Sequence, residues 1–432
     1  MRIMLLTAGT RGDVEPFIAL ARQAVAEGHI VRVALPDGSD VDTSGIDTVS
    51  LHINFAGLIA TQGVSPLATI RTFRSSIRPA TREMLITAAR ESVAFRPHVI
   101  VYHPKVLSAP LAAAALGVPH ILAEIVPVLT PTRDFPAAGL MGLNLGVLNR
   151  ATYGLAASAS QMFATELAAV ANGLSLSPAA RITPPVMSLV PVSRTLLPRP
   201  ADWPHSTHIT GAWTQTIRSA NNIFSTADAS LREFLRGGPF VYAGFGSMVA
   251  GDAAARGRAI ITAARARGLR TLIATGWGGI VVPPDMRGSD VLVVDSVPHA
   301  LVFPRAFAVI HHGGSGTTHA AVRAGVPSIV VPFIADQPFW GKRLQRKGLG
   351  PAPIPYWRMT AARLERALAL APLYRHTAVL VAQQMAAERA GVETALTLIV
   401  NQVRTRRRGP LLSVRTGATS TPPRAPVTRP TI

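Results

Sequence analysis

The chain has 432 residues, more than one typical hydrophobic core holds, so its length predicts two or three domains. A composition of 48% hydrophobic and 15% charged residues excludes a wholly disordered protein, and the absence of cysteine excludes disulfides, thiolate zinc sites and cysteine nucleophiles. The formal charge is +20, but seven arginines follow the last acidic residue, Glu393, so part of the excess belongs to one end of the chain.

The first half of the chain alternates strand and helix patterns. An apolar run at residues 3–6 predicts a buried strand, a helix ending at Gly28 follows, and Ile30–Leu35 is the next predicted strand. The same order recurs with strands at Val99–Tyr102 and His120–Ala123 around an alanine-rich helix. Residues 1–195 are therefore predicted to form a parallel α/β domain.

A proline-rich stretch at residues 196–238 is the predicted linker to a second doubly wound domain, predicted over residues 239–385. The strand runs of that domain fall at residues 240–243, 271–274, 291–294, 308–311 and 328–331. The basic, proline-rich tail at residues 406–432 is expected to be disordered. We expect no signal peptide, no transmembrane helix and a cytoplasmic location, because no apolar run has the required length and flanks.

The segment His-His-Gly-Gly-Ser-Gly-Thr-Thr at residues 311–318 lies between a predicted strand and a predicted helix. Its glycines let backbone N–H groups approach a ligand closely, and the helix begins with unpaired donors and a partial positive charge. Both features favour a bound diphosphate. A tight turn capped by Thr317 or Thr318 is the structural alternative. A zinc site on these histidines would lack a carboxylate at ligand spacing.

Two further loops follow strands of the second domain. Asp336 and Gln337 come after the strand at 328–331, at the edge where open α/β sheets bind ligands, and they can hydrogen-bond sugar hydroxyls. An Asx turn before Pro338 is the alternative. Ser247 ends a Gly-Phe-Gly-Ser loop after the first strand and is a candidate phosphate or interdomain donor.

The loop Gly-Thr-Arg-Gly-Asp at residues 9–13 ends the first strand and enters a helix. Asp13 is a candidate helix cap and a candidate general base, and both roles can hold together. The helix N-terminus and Arg11 favour the charged carboxylate, so its pKa is expected to be low.

Two other charge patterns are less specific. An Asp-Val-Asp at residues 40–42 matches a metal-binding motif that arises often by chance. A cationic run at helical spacing predicts a solvated helix face or, alternatively, a surface for anionic lipid, and it comprises Arg71, Arg74, Arg78 and Arg82. With 6% aromatic residues and no recognisable binding module, nucleic acid is not an expected partner.

Together the motifs resemble the UDP-glycosyltransferase superfamily, and within it the sterol 3-beta-glucosyltransferases and bacterial antibiotic glycosyltransferases. The resemblance covers about residues 1–400 and is denser in the second domain. It rests on the Asp13 loop, Asp-Trp-Pro at 202–204, Thr-Gly-Ala-Trp at 210–213, Phe-Gly-Ser-Met at 245–248 and the motifs between 311 and 341.

The resemblance implies a GT-B fold, in which two facing Rossmann-like domains bind acceptor and nucleotide sugar, and a last helix at residues 386–405 crosses back to the first domain. It implies inverting, metal-independent hexose transfer with Asp13 as the catalytic base and no cofactor besides the sugar nucleotide. The expected donor-binding residues are Arg11, Ser247, Val297, His312, Gly314, Gly316, Thr317, Asp336 and Gln337.

The sequence departs from the plant version of the family in two places. No tryptophan stands near Ser296 to stack the base, and Ala320 occupies the position where a glutamate would bind ribose. The expected donor is therefore a UDP-sugar, with a dTDP-sugar as the alternative. The acceptor is expected to be a hydrophobic alcohol such as a sterol, lipid or polyketide, with peripheral membrane contact. The alternatives are a sugar-nucleotide epimerase of the same fold and a non-enzymatic basic protein that binds membranes or polyanions.

Overall fold

The computed structural model describes residues 1–55, 57–58, 73–139, 144–177, 183–214, 228–246, 248, 250–276 and 278–407. They form two parallel sheets with helices packed on both faces, which confirms the predicted α/β fold class. No helix in the described part of the chain is both long and apolar enough to span a bilayer.

The first domain contains a seven-stranded sheet of order β3-β2-β1-β4-β5-β6-β7. Its strands are β1 Arg2–Leu6, β2 Ile30–Leu35, β3 Asp47–Ser50, β4 Val99–Tyr102, β5 His120–Ala123, β6 Met187–Val190 and β7 Thr207–Ile209. Its helices are α1 Arg11–Ala26, α2 Arg78–Phe95, α3 Ala109–Leu116, α4 Asn149–Ser158 and α5 Ala164–Gly173, with a π-helical turn at Phe73–Ile77 and 3₁₀ turns at Gly146–Leu148 and Ala159–Phe163.

Alternation along β1 explains how this sheet is covered. Ile3 and Leu5 pack into a core with α1, whereas Met4 and Leu6 pack into a core with α2 and α3 on the other face. A strand buried on both faces is a continuous apolar run, and for that reason the central strands could be predicted from the sequence.

The second domain contains a five-stranded sheet of order β10-β9-β8-β11-β12. Its strands are β8 Phe240–Gly244, β9 Arg270–Ala274, β10 Val291–Val294, β11 Ala308–His311 and β12 Ser328–Val330. The helices from residue 228 onward are α6 Ala229–Arg236, α7 Ala253–Arg265, α8 His299–Val302, α9 Ser315–Arg323, α10 Gln337–Arg346, α11 Ala361–Ala386 and α12 Gly391–Arg407, with 3₁₀ turns at Pro284–Met286, Phe303–Arg305 and Tyr356–Arg358.

The structure corrects the predicted domain limits. β7 lies inside the predicted linker and pairs with β6, so the first domain extends at least to Ile209. A strand of three residues is too short to show an alternating pattern, and Pro204 just before it obscured the signal. The last helix, implied by the resemblance at residues 386–405, is α12 at Gly391–Arg407, and it packs against α1 of the first domain. Residues 408–432 of the predicted tail lie outside the described residues.

Arg78 of the predicted cationic run does not stand on a free helix face. Arg78 begins α2 and its Nε lies 2.5 Å from Oε1 of Glu166, a buried residue of α5. This arginine therefore joins two helices instead of standing on a free face. Arg71 lies outside the described residues.

Candidate active site

Two carboxylates from different domains lie at the carboxyl ends of the two sheets. Asp13 is in the first turn of α1, directly after β1, and Asp336 precedes α10, after β12. In the first sheet the strand order reverses between β1 and β4, where open α/β sheets bind ligands. The charge of Asp13 contributes to raising the pKa of Asp336, so the two groups interact across the domain boundary.

Three donors surround the Asp13 carboxylate. Oδ2 accepts the backbone N–H of Thr10 at 2.9 Å and lies 3.1 Å from Nζ of Lys105. Oδ1 lies 3.3 Å from Nε2 of His103. The side chain of Asp13 is 21% exposed, so a second molecule can still reach it. The N-cap of α1 is Thr10, and Asp13 is the N3 residue that completes the capping box, so its carboxylate supports the start of the helix and remains accessible.

The ionisation of Asp13 follows from these contacts. Burial raises the pKa of Asp13, but the Lys105 ammonium and the His103 hydrogen bond outweigh burial and hold the pKa well below its usual value. Burial lowers the pKa of His103 more than Asp13 raises it, so its ring is neutral at pH 7. Nδ1 of His103 accepts the N–H of Lys105 at 3.2 Å, which leaves the proton on Nε2, facing Asp13.

Gly9 makes room for this arrangement. Its φ is +137°, and a Cβ at this position would lie 1.9 Å from Oδ2 of Asp13 and 2.7 Å from Nζ of Lys105. Only glycine both adopts this backbone conformation and leaves space for the carboxylate.

The pKa of Asp336 is shifted in the opposite direction to that of Asp13. Burial, with help from the Asp13 charge, raises the pKa of Asp336 to about 6. Its Oδ2 accepts the indole N–H of the fully buried Trp340 at 3.0 Å, which fixes the carboxyl group. The preceding residue, Ala335, has a φ of +56°, a strained conformation of the kind that clusters at functional sites.

The glycine-rich loop forms the N-terminus of α9. Gly314 is the cap residue, and the N–H of Thr318 bonds back to its carbonyl. The earlier N–H groups, those of Ser315, Gly316 and Thr317, precede the first intrahelical bond and are the donors expected to bind a diphosphate. A Cβ on Gly314 would lie 2.4 Å from Nε2 of His312, so the imidazole lies directly against this loop.

The two adjacent histidines are neutral. Burial lowers the pKa of His312 to about 4 and that of His311 to about 3. His311 is fully buried in β11, and its Nδ1 accepts the N–H of Gly313 at 3.2 Å, which holds the turn. The ring of His312 therefore carries no full charge at pH 7, although a hydrogen bond with the backbone of Gly244 opposes the effect of burial on its pKa.

His319 connects the domains. Its Nδ1 lies 2.7 Å from the carbonyl of Ser315 in its own helix, and its Nε2 accepts the N–H of Ser193 in the first domain at 3.1 Å. Oε1 of Glu388, between α11 and α12, accepts the hydroxyls of Ser193 and Thr195 at 2.7 and 2.6 Å. These bonds fix the loop that carries the glycines relative to the first domain.

Arg11 extends from the first domain toward the second. It is one of the groups that lower the pKa of His299 to about 4, after burial, and His312 is another. The guanidinium of Arg11 is thus close enough to His299, in α8 of the second domain, to act on its pKa. Val297, just before α8, is half-buried and packs against the core of the second domain.

Gln337 is placed differently from a free sugar-binding side chain. It is buried, its Oε1 accepts the N–H groups of Phe333 and Ile334 at 2.7 and 3.1 Å, and its Nε2 lies 3.1 Å from the sulfur of Met248. The structure therefore shows Gln337 shaping the loop that presents Asp336. Ser247 lies outside the described residues.

The sequence analysis missed His103 and Lys105. Both follow β4, whose register with β1 sets Tyr102 beside Leu6 and so brings the two loops together. The two residues could have been found from the sequence, because β4 was predicted and polar residues that follow parallel strands meet at one edge of the sheet.

Comparisons with known proteins identify the family of the chain. Residues 3–130 match the glycosyltransferase family 28 N-terminal domain, and residues 281–400 match the erythromycin biosynthesis protein CIII-like C-terminal domain. The chain is 32% identical over 421 residues to the vancomycin aglycone glucosyltransferase of Amycolatopsis orientalis, covering 92% of this chain and 97% of that protein. The chain belongs to the glycosyltransferases.

Other glycosyltransferases match over different extents. The chain is 31% identical to a sterol 3-beta-glucosyltransferase of Arabidopsis thaliana over 85% of its own length, but it spans only 62% of that relative. The crystal structure of the glycotransferase of kitacinnamycin superposes with a TM-score of 0.66 at 19% identity, covering 93% of this chain and 98% of that chain. The two-domain arrangement is that of the GT-B glycosyltransferases.

Proposed function

We propose that the protein transfers a hexose, with glucose the first candidate, from a UDP-sugar or dTDP-sugar to a hydroxyl of a hydrophobic acceptor, with inversion and without a metal ion. The proposal is supported by the donor-surrounded carboxylate of Asp13 after β1, by the glycine-rich N-terminus of α9 after β11, and by the match to a glucosyltransferase over 92% of the chain. A base on one side of a cleft and a diphosphate cradle on the other are the two parts that such a transfer needs.

In the proposed reaction the donor diphosphate binds at the N-terminus of α9, where backbone N–H groups and the helix dipole favour negative charge. The neutral ring of His312 donates a further hydrogen bond. Arg11 adds positive charge from the first domain. Asp336 accepts hydrogen bonds from the sugar hydroxyls.

The chemical step is a single displacement. The acceptor oxygen forms a bond to the anomeric carbon from the face opposite the diphosphate, while the bond from that carbon to the phosphate oxygen breaks. The acceptor proton passes to Asp13, and the electron pair leaves with the nucleoside diphosphate. The preorganised dipoles of α9 stabilise the charge that develops there.

The decisive experiment incubates the protein with UDP-glucose or dTDP-glucose and a panel of hydrophobic alcohols and phenols, with products identified by mass and anomeric configuration by NMR. We expect one new β-glucoside with release of the nucleoside diphosphate. Conversion of the sugar nucleotide without any acceptor would instead indicate the epimerase. The absence of any nucleotide-dependent reaction would contradict the proposal.

Asp336 gives a prediction about pH. Its pKa of about 6 leaves the carboxyl mostly ionised at pH 7.5 and mostly protonated at pH 5. If the ionised form binds the sugar, the KM for UDP-glucose rises by up to about tenfold between these pH values, because the binding-competent fraction falls to roughly a tenth. Asp13 stays ionised over this interval and adds no change.

The matched variant is Asp336→Asn. We expect its KM for UDP-glucose to be raised at pH 7.5 and constant down to pH 5, in initial-rate measurements at each pH. A KM that keeps the pH dependence of the unchanged protein would assign the titration to another group.

A further inference from the structure

Hydrogen-bond donors of the protein surround the carboxylate of Asp13, the base proposed for the reaction. The backbone N–H of Thr10, the ammonium of Lys105 and the ring N–H of His103 all point at the two oxygens of Asp13, within 2.9 to 3.3 Å. Each donor stabilises the ionised carboxylate. A carboxylate with these partners is a weak acceptor for a further proton.

A weak base restricts the hydroxyl groups that it can help to deprotonate. General-base catalysis follows Brønsted behaviour, so a weak base assists the removal of a weakly acidic proton less than a stronger base does. A phenolic hydroxyl titrates near ~10, whereas a hydroxyl as weakly acidic as that of water titrates near ~15.7. The oxygen of a phenol or enol therefore carries negative charge earlier in the reaction than that of an alkanol.

The position of Lys105 favours an acceptor oxygen that carries negative charge. Its side chain is 48% exposed, and an acceptor oxygen that hydrogen-bonds Asp13 would lie within roughly 6–8 Å of the ammonium, given ordinary hydrogen-bond lengths. The nitrogen also lies 5.6 Å from the centre of the Phe55 ring, so this side of the site offers an aromatic surface next to a cation.

We propose that Lys105 is a specificity-determining residue that makes the protein prefer acidic hydroxyl groups, phenols and enols, over alkanols. This inference rests on the proposed function. In the step, the acceptor O–H proton passes to Asp13, the acceptor oxygen bonds the anomeric carbon, and the nucleoside diphosphate leaves with the electron pair of the broken bond. Lys105 remains an ammonium throughout and acts through Asp13 and through its field at the acceptor oxygen.

The side chain of Lys105 can be changed without disturbing the core. Its described contacts are the Asp13 carboxylate and the Phe55 ring, and the bond to Nδ1 of His103 comes from its backbone N–H. Lys105→Met keeps the length of the stem and removes the charge. Lys105→Arg keeps the charge.

The test compares 2-naphthol with 2-naphthalenemethanol, two acceptors with the same ring system and different hydroxyl acidity. The readout is the ratio of their kcat/KM values, in which effects on donor binding cancel because both reactions share the donor. We expect the unchanged protein to favour 2-naphthol by about 100-fold or more. Lys105→Met should lower that ratio by about tenfold, and Lys105→Arg should keep it within about threefold.

Arg90→Met provides the control, since Arg90 is an exposed cation of α2, and its ratio should equal that of the unchanged protein. A ratio near one in the unchanged protein, or a ratio that Lys105→Met leaves intact, overturns the inference. Transfer to alkanols of the panel and to no phenol overturns the inference and leaves the proposed function standing. No transfer to any acceptor overturns both.

Discussion

Replacing Asp13 by asparagine is expected to lower the rate of sugar transfer by about three orders of magnitude, within the range for loss of a general base. Asparagine has nearly the same shape and can still accept the Thr10 N–H, but it cannot take the acceptor proton. The proposed diphosphate site, the N-terminus of α9, lies in the other domain, so nucleotide affinity should stay within about twofold. Rates with saturating donor and calorimetric titration with UDP measure the two quantities separately.

Asp42→Asn is the matched control for this change. Asp42 is an exposed first-domain carboxylate that pairs with Arg22 at 2.7 Å, so the same chemical substitution should leave the rate unchanged. Unchanged turnover in Asp13→Asn would remove Asp13 from the role of base. Loss of UDP binding together with turnover would indicate that Asp13 maintains the cleft instead of accepting a proton.

The sequence was informative where a strand is a continuous apolar run, whether the strand is buried, such as β4, β5 and β11, or lies partly exposed at a sheet edge, such as β10. β2, β4, β5, β10 and β11 have the limits predicted from their apolar runs. β3, β6 and β7 were missed. β3 is half-exposed and β7 has three residues, so neither shows a continuous apolar run. The order of the strands within each sheet could not be predicted from the sequence pattern either, because strand pairing depends on contacts between residues that are distant in the sequence.

The residues of the candidate site also divide into those that the sequence could predict and those that it could not. The Gly-rich loop and Asp13 could be found locally, because each is a strand-to-helix turn with its own chemistry. The partners of Asp13 could not, since Lys105 is 92 residues away in sequence and meets it only through the pairing of β1 with β4. Gln337 was expected to face the sugar, but two backbone N–H groups of its own loop need an acceptor, and its amide oxygen supplies one.

We expect the largest effect on stability from a substitution where α12 packs against the first domain. A Cβ on Gly391, the first residue of α12, would lie 2.4 Å from the carbonyl oxygen of Ala212 and 2.5 Å from that of Gly211. These backbone atoms cannot move freely, because the neighbouring Trp213 is buried and its indole N–H bonds the hydroxyl of Thr210 at 2.9 Å. Gly391→Ala must therefore push α12 away from the first domain.

That displacement would disturb a shared core, because Leu396 and Ile399 of α12 pack in one cluster with Phe17 of α1 and with Trp213. We expect Gly391→Ala to cost about 2–3 kcal/mol, as overpacking of a well-filled site does, and to lower the melting temperature by several degrees in calorimetry. Gly154→Ala is the control, since Gly154 lies in α4 with open space around its Cβ position, and there alanine should stabilise by roughly 0.5–1 kcal/mol. If both variants melt alike, the close contact between Gly391 and the backbone at residues 211–212 does not limit how α12 docks.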